Sequence, residues 1–347
     1  MRTLITADIH ISDNSRDEYR IKFLKTFRDL CRKYKVDTAI VLGDLTEAKD
    51  NHSAELVNQI VDHFYKLAGI CKDIIVLKGN HDYLTPETPF FRFLQRIEGV
   101  TWVNAPTDEK NASTTVLKRF GACLWLPHTT NYKRDWEGLD LNRYDRIFAH
   151  QTFNGVLMGP GRQPFNGGVP LDVLPQTEPD QVISGDIHIP QQLGPVTYVG
   201  APYTVDFGDD YSPRVILLEI DGSGRFGSLQ SIPCLGPQKQ LVEMSTIGDL
   251  NKFTNMHRGD ILKIRVARTH AQMDRWHQMK NEIRQWCEKN GFIPYTIQPV
   301  IDQSKRMIAS KEISESRSDE QILRDYGKLR SVNDPILKTG LSLLREV

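Results

Sequence analysis

The chain has 347 residues, 39% of them hydrophobic, and 44 Lys and Arg balance 44 Asp and Glu, so the formal net charge at pH 7 is zero. That length carries one large core and at least one smaller unit, and a neutral total argues against binding nucleic acid through a global positive field. No window approaches the ~18 to 20 apolar residues of a membrane span, and the N-terminus runs into a strand-like segment without a signal-peptide pattern; the expectation is a cytoplasmic protein with no membrane contact.

From the N-terminus, short β-branched runs at 4–7, 38–42, 74–77, 147–149 and 182–184 read as strands of a layered α/β domain, completed by 196–199 and 215–220. Segments 21–34 and 54–67 carry apolar residues at helical spacing, and Ser53 is placed to cap the second. A Gly/Pro-containing stretch at 234–237 marks a boundary. Beyond it the order is strand (261–266), helix, strand (295–301); Met273, Trp276, Met279, Ile283 and Trp286 form the core face of that helix, with Gly291 as its C-cap. Residues 304–317 are polar and read as a linker. Ser318 and Gln321 have capping-box spacing ahead of Ile322, Leu323, Tyr326 and Leu329, and Asp334-Pro335 opens a second helix with Ile336, Leu337, Leu341, Leu343 and Leu344. Two such helices either dock on another protein or pack back on their own chain.

The expected organisation is 1–233, 238–303, linker 304–317 and helical segment 318–347. Charge is uneven along it: residues 239–347 hold 19 Lys and Arg against 14 Asp and Glu, leaving the earlier part net negative by five. The cysteines at 31, 71, 123, 234 and 287 show neither a CxxC pair nor zinc-ribbon spacing, so reduced, buried thiols are expected.

Chemistry concentrates where strands end. Asp8-Ile9-His10 follows the first strand, Gly43-Asp44 the second, and Gly79-Asn80-His81-Asp82 the third. His150 ends a fourth, and Gly185-Asp186-Ile187-His188 a fifth. Oxygen and imidazole groups thus recur at one edge of a sheet, where open α/β folds bind ligands. Carboxylate, amide oxygen and imidazole suit Mn²⁺, Fe²⁺, Zn²⁺ or Mg²⁺, and seven candidates, Asp8, His10, Asp44, Asn80, His150, Asp186 and His188, suit two ions sharing a carboxylate. The remaining histidines, including His128, follow no ligand spacing. His52, just past the Asp44 loop, and Arg162, in the Gly/Pro-rich stretch 155–170, are candidate DNA contacts.

The series D-x-H, GD, GNHD, H and G-x-x-H resembles the calcineurin-like metallophosphoesterases. Within that superfamily the chain is most similar to the SbcD-type DNA repair nucleases of bacteria and phages, a likeness strengthened by Tyr198-Val199-Gly200-Ala201-Pro202 and Phe207-Gly208. The motif match spans about 1–220; the last third resembles the family in layout only.

The resemblance implies a layered β-sandwich core flanked by helices, a small α/β capping domain that selects DNA, and C-terminal helices that bind an SbcC-like ATPase. It implies two divalent ions, manganese before magnesium. Asp8, His10, Asp44 and His188 would hold one and Asp44, Asn80, His150 and Asp186 the other, with Asp44 bridging. His81 would act on the scissile phosphate and Asp82 would support it from behind. The implied activities are 3′-5′ exonuclease on duplex ends and endonuclease on single strands, in a homodimer paired through helices near 54–67 and 89–97. Where the family carries G-H-x-H, this chain has Asp186, which hardens the site toward Mn²⁺ or Mg²⁺. A phosphatase or cyclic-nucleotide phosphodiesterase shares the same metal chemistry, and a non-catalytic scaffold is the competing class.

Overall fold

The computed structural model describes residues 1–112, 114–159, 161–175, 180–221, 224–252, 256–301, 319–329 and 334–345. The linker 304–317 and the Ser318 cap lie outside them. Two six-stranded sheets form the architecture. The first runs β14 (Phe226–Pro233), β13 (Arg214–Ile220), β1 (Arg2–Thr6), β2 (Thr38–Leu42), β3 (Asp73–Leu77), β4 (Val100–Val103). The second runs β11 (Gln191–Leu193), β12 (Val196–Tyr198), β10 (Val182–Gly185), β7 (Arg146–His150), β6 (Cys123–Leu126), β5 (Thr107–Asp108). Strands β1 to β4 are parallel, as are β12, β10, β7 and β6; antiparallel strands close every edge except that of β4. The layered β-sandwich implied by the resemblance is present, and the strand runs read from the sequence are shared between its two sheets, β1, β2, β3 and β13 in one and β7, β10 and β12 in the other.

Strand alternation explains the layering. Ile5, Ala7, Ile40, Leu42, Ile75 and Leu77 of the first sheet pack with Trp125, Phe148 and Ile183 of the second in one buried cluster. The intervening residues Leu4, Ala39, Val41, Ile74 and Val76 face the other way, onto α1 (Glu18–Tyr34) and α2 (Ala54–Ala68) through Phe23, Phe27, Ile60 and Phe64. Both faces are covered, which is why these strands read as continuous apolar runs. Ser53 caps α2 as expected, its Oγ accepting from the Leu56 amide at 3.1 Å. All five cysteines are free and buried.

His63, on α2, is 3% exposed, and Arg28 Nη1 lies 2.6 Å from its Nδ1. Burial, reinforced by that guanidinium, pushes the ring down to about 3 from its ordinary 6.5. The folded ring is neutral while the unfolded one takes up a proton, so its contribution is fully present above 6.5 and is lost as pH falls toward 3. At pH 5 the loss is about 2 kcal/mol. Urea unfolding of His63→Gln should fall less steeply than wild type between pH 7 and pH 5 by that amount; parallel pH curves would show that the ring titrates normally.

The chain forms two compact units: residues 1–242, 253–264 and 284–296, and residues 243–252, 265–283 and 297–347. β15 (Lys239–Met244), β16 (Ile261–Arg268) and β17 (Ile293–Ile301) make a three-stranded sheet, and the helix between the last two spans Trp276–Asn290. Gly291 follows it at φ 77°, the left-handed turn expected of a C-cap. Within the tail, Asp319–Leu329 and Asp334–Arg345 are helical. Among the described residues, no helix is long and apolar enough to cross a membrane.

Candidate metal centre

The C-terminal ends of β1, β2, β3, β7 and β10 converge where the two sheets meet, and the seven candidate ligands stand there. Four of them, Asp8 (φ 53°), His10 (46°), Asp44 (54°) and Asp186 (81°), have left-handed backbone. Only seven non-glycine residues among those described do so, and concentrating that strain at one place marks a site where side-chain direction outweighs local conformational cost.

Asp44 lies at the middle. Its Oδ2 is 3.4 Å from His10 Nε2 and its Oδ1 3.5 Å from His150 Nε2, so the two oxygens face different imidazoles. His10 Nε2 is in turn 3.1 Å from His188 Nε2. On the other side, His150 Nε2 lies 2.9 Å from Asn80 Oδ1 and 3.6 Å from Asp186 Oδ1. Asp8 is wholly buried; its Oδ1 accepts the Asp186 amide at 2.9 Å, while Oδ2 has no hydrogen-bond partner.

A cation fits this donor set. Asn80 Oδ1 lies 2.9 to 3.1 Å from both oxygens of Asp44 and from His150 Nε2, so it crowds two carboxylate oxygens that offer it no proton. A positive ion resolves that crowding; so would a half-turn of the amide, which lets its NH₂ donate to Asp44. The facing Nε2 atoms of His10 and His188 and the unpartnered oxygen of Asp8 do not depend on that choice. Among the described residues, two groups of potential ligands each hold their donor atoms within 4.8 Å of one another: Asp8, Asp44 and His150, and His10, Glu47 and His81.

The electrostatics agree. Burial pushes the Asp8 carboxyl well above the usual carboxylate range, and it pushes His10 down to about 3. Burial also opposes charge on His150, but Asp44, Asp186 and Asp8 outweigh it and hold that ring protonated far above its ordinary range. Carboxylates that stabilise an imidazolium this strongly will equally stabilise a metal cation in its place. His150 Nδ1 sits 2.6 Å from the Leu42 carbonyl; donating there leaves Nε2 with a free lone pair toward the cluster.

Glycines permit this closeness. Gly43 has φ 81°, and a Cβ there would lie 2.2 Å from His150 Nδ1. A Cβ on Gly185 would lie 2.3 Å from the Leu42 carbonyl oxygen that orients His150. Gly185→Ala is expected to lower unfolding free energy by about 1 to 3 kcal/mol and to weaken metal uptake, because backbone rather than a flexible side chain must give way. An unchanged urea midpoint would contradict this.

Asp82 requires a correction. It is fully buried, and its carboxylate accepts backbone amides from Gly79 (2.7 Å), Asp44 (3.0 Å) and Leu45 (3.0 Å). It therefore ties the second and third ligand loops together instead of backing His81. The His81 ring is held by the Glu47 carbonyl, 2.7 Å from Nδ1, and its backbone amide donates to Asp44 Oδ1 at 2.8 Å. Burial pushes Asp82 up to about 6, against the pull of those amides.

The structure does not bring His52 or Arg162 into the cleft. The His52 ring packs on Phe90 and Phe91, with centroids 4.5 and 5.0 Å away, and Arg162 donates to the Asp210 carbonyl. Conversely, sequence reasoning passed over Glu47, Arg20, Thr152 and His128. Arg20, buried on α1, donates to the His10 carbonyl (2.7 Å) and to Glu47 (2.8 Å). Thr152 donates to Asp186 Oδ2, fixing the carboxylate that stands where the family has histidine. His128 is 6.1 Å from the His150 ring and bonded to Tyr83, so it is a neighbour of the centre and not an ordinary packing residue. Glu47, three residues past Asp44 in one loop, was the only one that spacing could have flagged.

The cleft above these groups, about 540 Å³, runs from His10, Asp44, Asn80, His81, Asp186 and His188 out to Lys239 and Tyr295. Among solved structures the chain is similar to the crystal structure of Pseudomonas putida nuclease MPE, at 16% identity over 66% of this chain and 87% of that one, with a TM-score of 0.33. It is also similar to Yfce, a phosphoesterase from E. coli, at 15% identity over 67% of this chain and all of that one, with a TM-score of 0.31. No curated protein matches it. The profile of the calcineurin-like phosphoesterases matches residues 1–190, a span that holds every candidate ligand from Asp8 to His188. The chain belongs to that family and is a metal-dependent phosphoesterase.

Proposed function

We propose that this protein is a DNA nuclease whose centre takes two divalent ions, Mn²⁺ before Mg²⁺, and hydrolyses phosphodiesters. The observation that carries the choice of diester is Asp186, in ligand position beside Asp8 and Asp44. Three carboxylates against two dications leave a single positive charge, which suits a monoanionic diester better than a dianionic monoester. The other charged side chains lining the cleft, Asp17, Glu47 and Asp206 against Arg20 and Lys239, do not make it more positive.

Bound ions of this kind supply charge to polarise the phosphoryl oxygens and lower the pKa of an attacking water. The chain's own residues do the rest. Asp44 faces both halves of the centre. His81 stands at the mouth, fixed by the Glu47 carbonyl, where Nε2 can give a proton to the leaving oxygen. Asp82 and Thr152 hold the loops and Asp186 still, so little reorganisation is needed when charge develops.

The resemblance to SbcD-type nucleases extends the proposal to an SbcC-like ATPase bound through 318–347 in a cytoplasmic DNA repair complex. A homodimer through α2 and the turn Phe90–Arg96 is supported by one exposed apolar side chain on each, Tyr65 at 61% and Phe93 at 39%. The test is nucleotide release from a 3′-labelled linear duplex with Mn²⁺, beside p-nitrophenyl phosphate as a monoester. Degradation of the duplex with poor monoester turnover is expected; efficient monoester hydrolysis with intact DNA would make it a phosphatase.

A further inference from the structure

A second cavity, about 260 Å³, opens beside the metal cleft and shares Met158, Asp186, His188 and Asp206 with it. Leu157, Met158, Ile187, Ile189 and Phe207 give it apolar walls. Among the described residues, its charged lining side chains besides His188 are the carboxylates of Asp186, Asp206 and Asp209; Lys239 and Lys263 are not in the lining, though their ammonium groups stand 5.5 and 5.8 Å from the Phe207 ring centroid. A phosphate would be repelled here, whereas a flat neutral group able to donate hydrogen bonds would be accepted.

Both walls are held in place. The β-hairpin of β8 (Val156–Met158) and β9 (Gln163–Phe165) is anchored by Gln191, which bonds Leu157 N at 2.9 Å and Leu157 O at 3.0 Å. Arg162, at the hairpin turn, donates to the Asp210 carbonyl and so links it to the facing loop. Asp209 folds that loop by accepting the Val205 and Asp206 amides at 2.9 and 2.8 Å. Phe207 packs on Tyr295 at 4.9 Å between centroids, so its ring is supported from behind. Met158, 37% exposed, forms the partition between cavity and cleft.

We propose that this cavity is a nucleobase subsite: it takes the base next to the scissile phosphate, lodging it between Met158 and Phe207 while the phosphate lies over Asp186 and His188. The inference rests on the phosphodiesterase reading above and deepens it. Thioether and aromatic faces hold any base by stacking, and Asp206, which can only accept, favours an edge carrying an amino group. The size, near the lower end for small-ligand pockets, fits a single nucleoside and not a strand. Arg162 then acts on DNA indirectly, by keeping the subsite's walls together.

The test uses the full chain with Mn²⁺ and three substrates: a dinucleoside monophosphate with both bases, and the two forms abasic on the 5′ or the 3′ side. Wild type should cleave the intact compound about 10-fold better in kcat/KM than one of the abasic forms. In Phe207→Ala and Met158→Ala that preference should shrink to within about 2-fold, chiefly through KM, and Phe207→Tyr should restore it. Met158 is exposed, so its variant stays informative if Phe207→Ala fails to fold. Equal cleavage of all three by wild type, or a preference surviving in both variants, overturns the subsite and leaves the phosphodiesterase standing. If wild type cleaves none of them, the phosphodiesterase reading falls and takes the subsite with it.

Discussion

Asp44→Asn should lower hydrolysis of a phosphodiester by about 10³-fold or more, with the protein still folded. Each carboxylate oxygen faces a different imidazole, His10 at 3.4 Å and His150 at 3.5 Å, so one substitution weakens both halves of the centre. Metal charge stabilisation is worth several kcal/mol in the transition state, and each ~1.4 kcal/mol is tenfold in rate. Burial opposes the Asp44 charge, but His150, His10 and His81 outweigh it and keep the carboxyl ionised well below its usual range. Asparagine tolerates φ 54° better than most residues, so backbone strain does not confound the comparison. Loss of activity with a urea midpoint near that of wild type is the expected pair of results; an active Asn variant would remove Asp44 from the chemistry.

His81→Gln should cost about 10² to 10⁴ in kcat on DNA while metal content stays near that of wild type, because the ring is held at the mouth of the cleft. A proton donor matters most when the leaving oxygen is strongly basic. The same variant should therefore lose much less on bis(p-nitrophenyl) phosphate, whose leaving group needs little protonation. Equal losses on both substrates, with less metal bound, would instead make His81 a ligand, as its clustering with His10 and Glu47 allows.

These residues are legible in the sequence because strand ends repeat. Asp8, Asp44, Asn80, His150 and Asp186 each fall within three residues of a parallel strand's end, and the β-branched runs before them are unambiguous. Short strands were harder. Val100–Val103 and Cys123–Leu126 are four residues each and carry no ligand at their ends, and the second holds no β-branched residue. The assignment of β-runs to two sheets is not legible either, since it is decided by contacts between residues far apart in sequence, such as Ile5, Ile40 and Ile75 of one sheet buried with Trp125, Phe148 and Ile183 of the other.

Asp82 shows the same limit at the site. A carboxylate next to His81 in sequence suggests a catalytic pair, yet its acceptors are filled by amides of the loops, contacts that no spacing encodes. Arg20 and Thr152 are invisible for the same reason. They lie 10 residues from His10 and 34 from Asp186 and meet them only through the fold.

A centre for two ions built on Asp44 is the core of the proposed chemistry. The direct measurement is calorimetric titration of the metal-free full chain with Mn²⁺, wild type beside Asp44→Asn. Two ions per wild-type chain, and weaker or incomplete binding by the variant, is the predicted result; a single ion, none, or identical curves for the two proteins would contradict it.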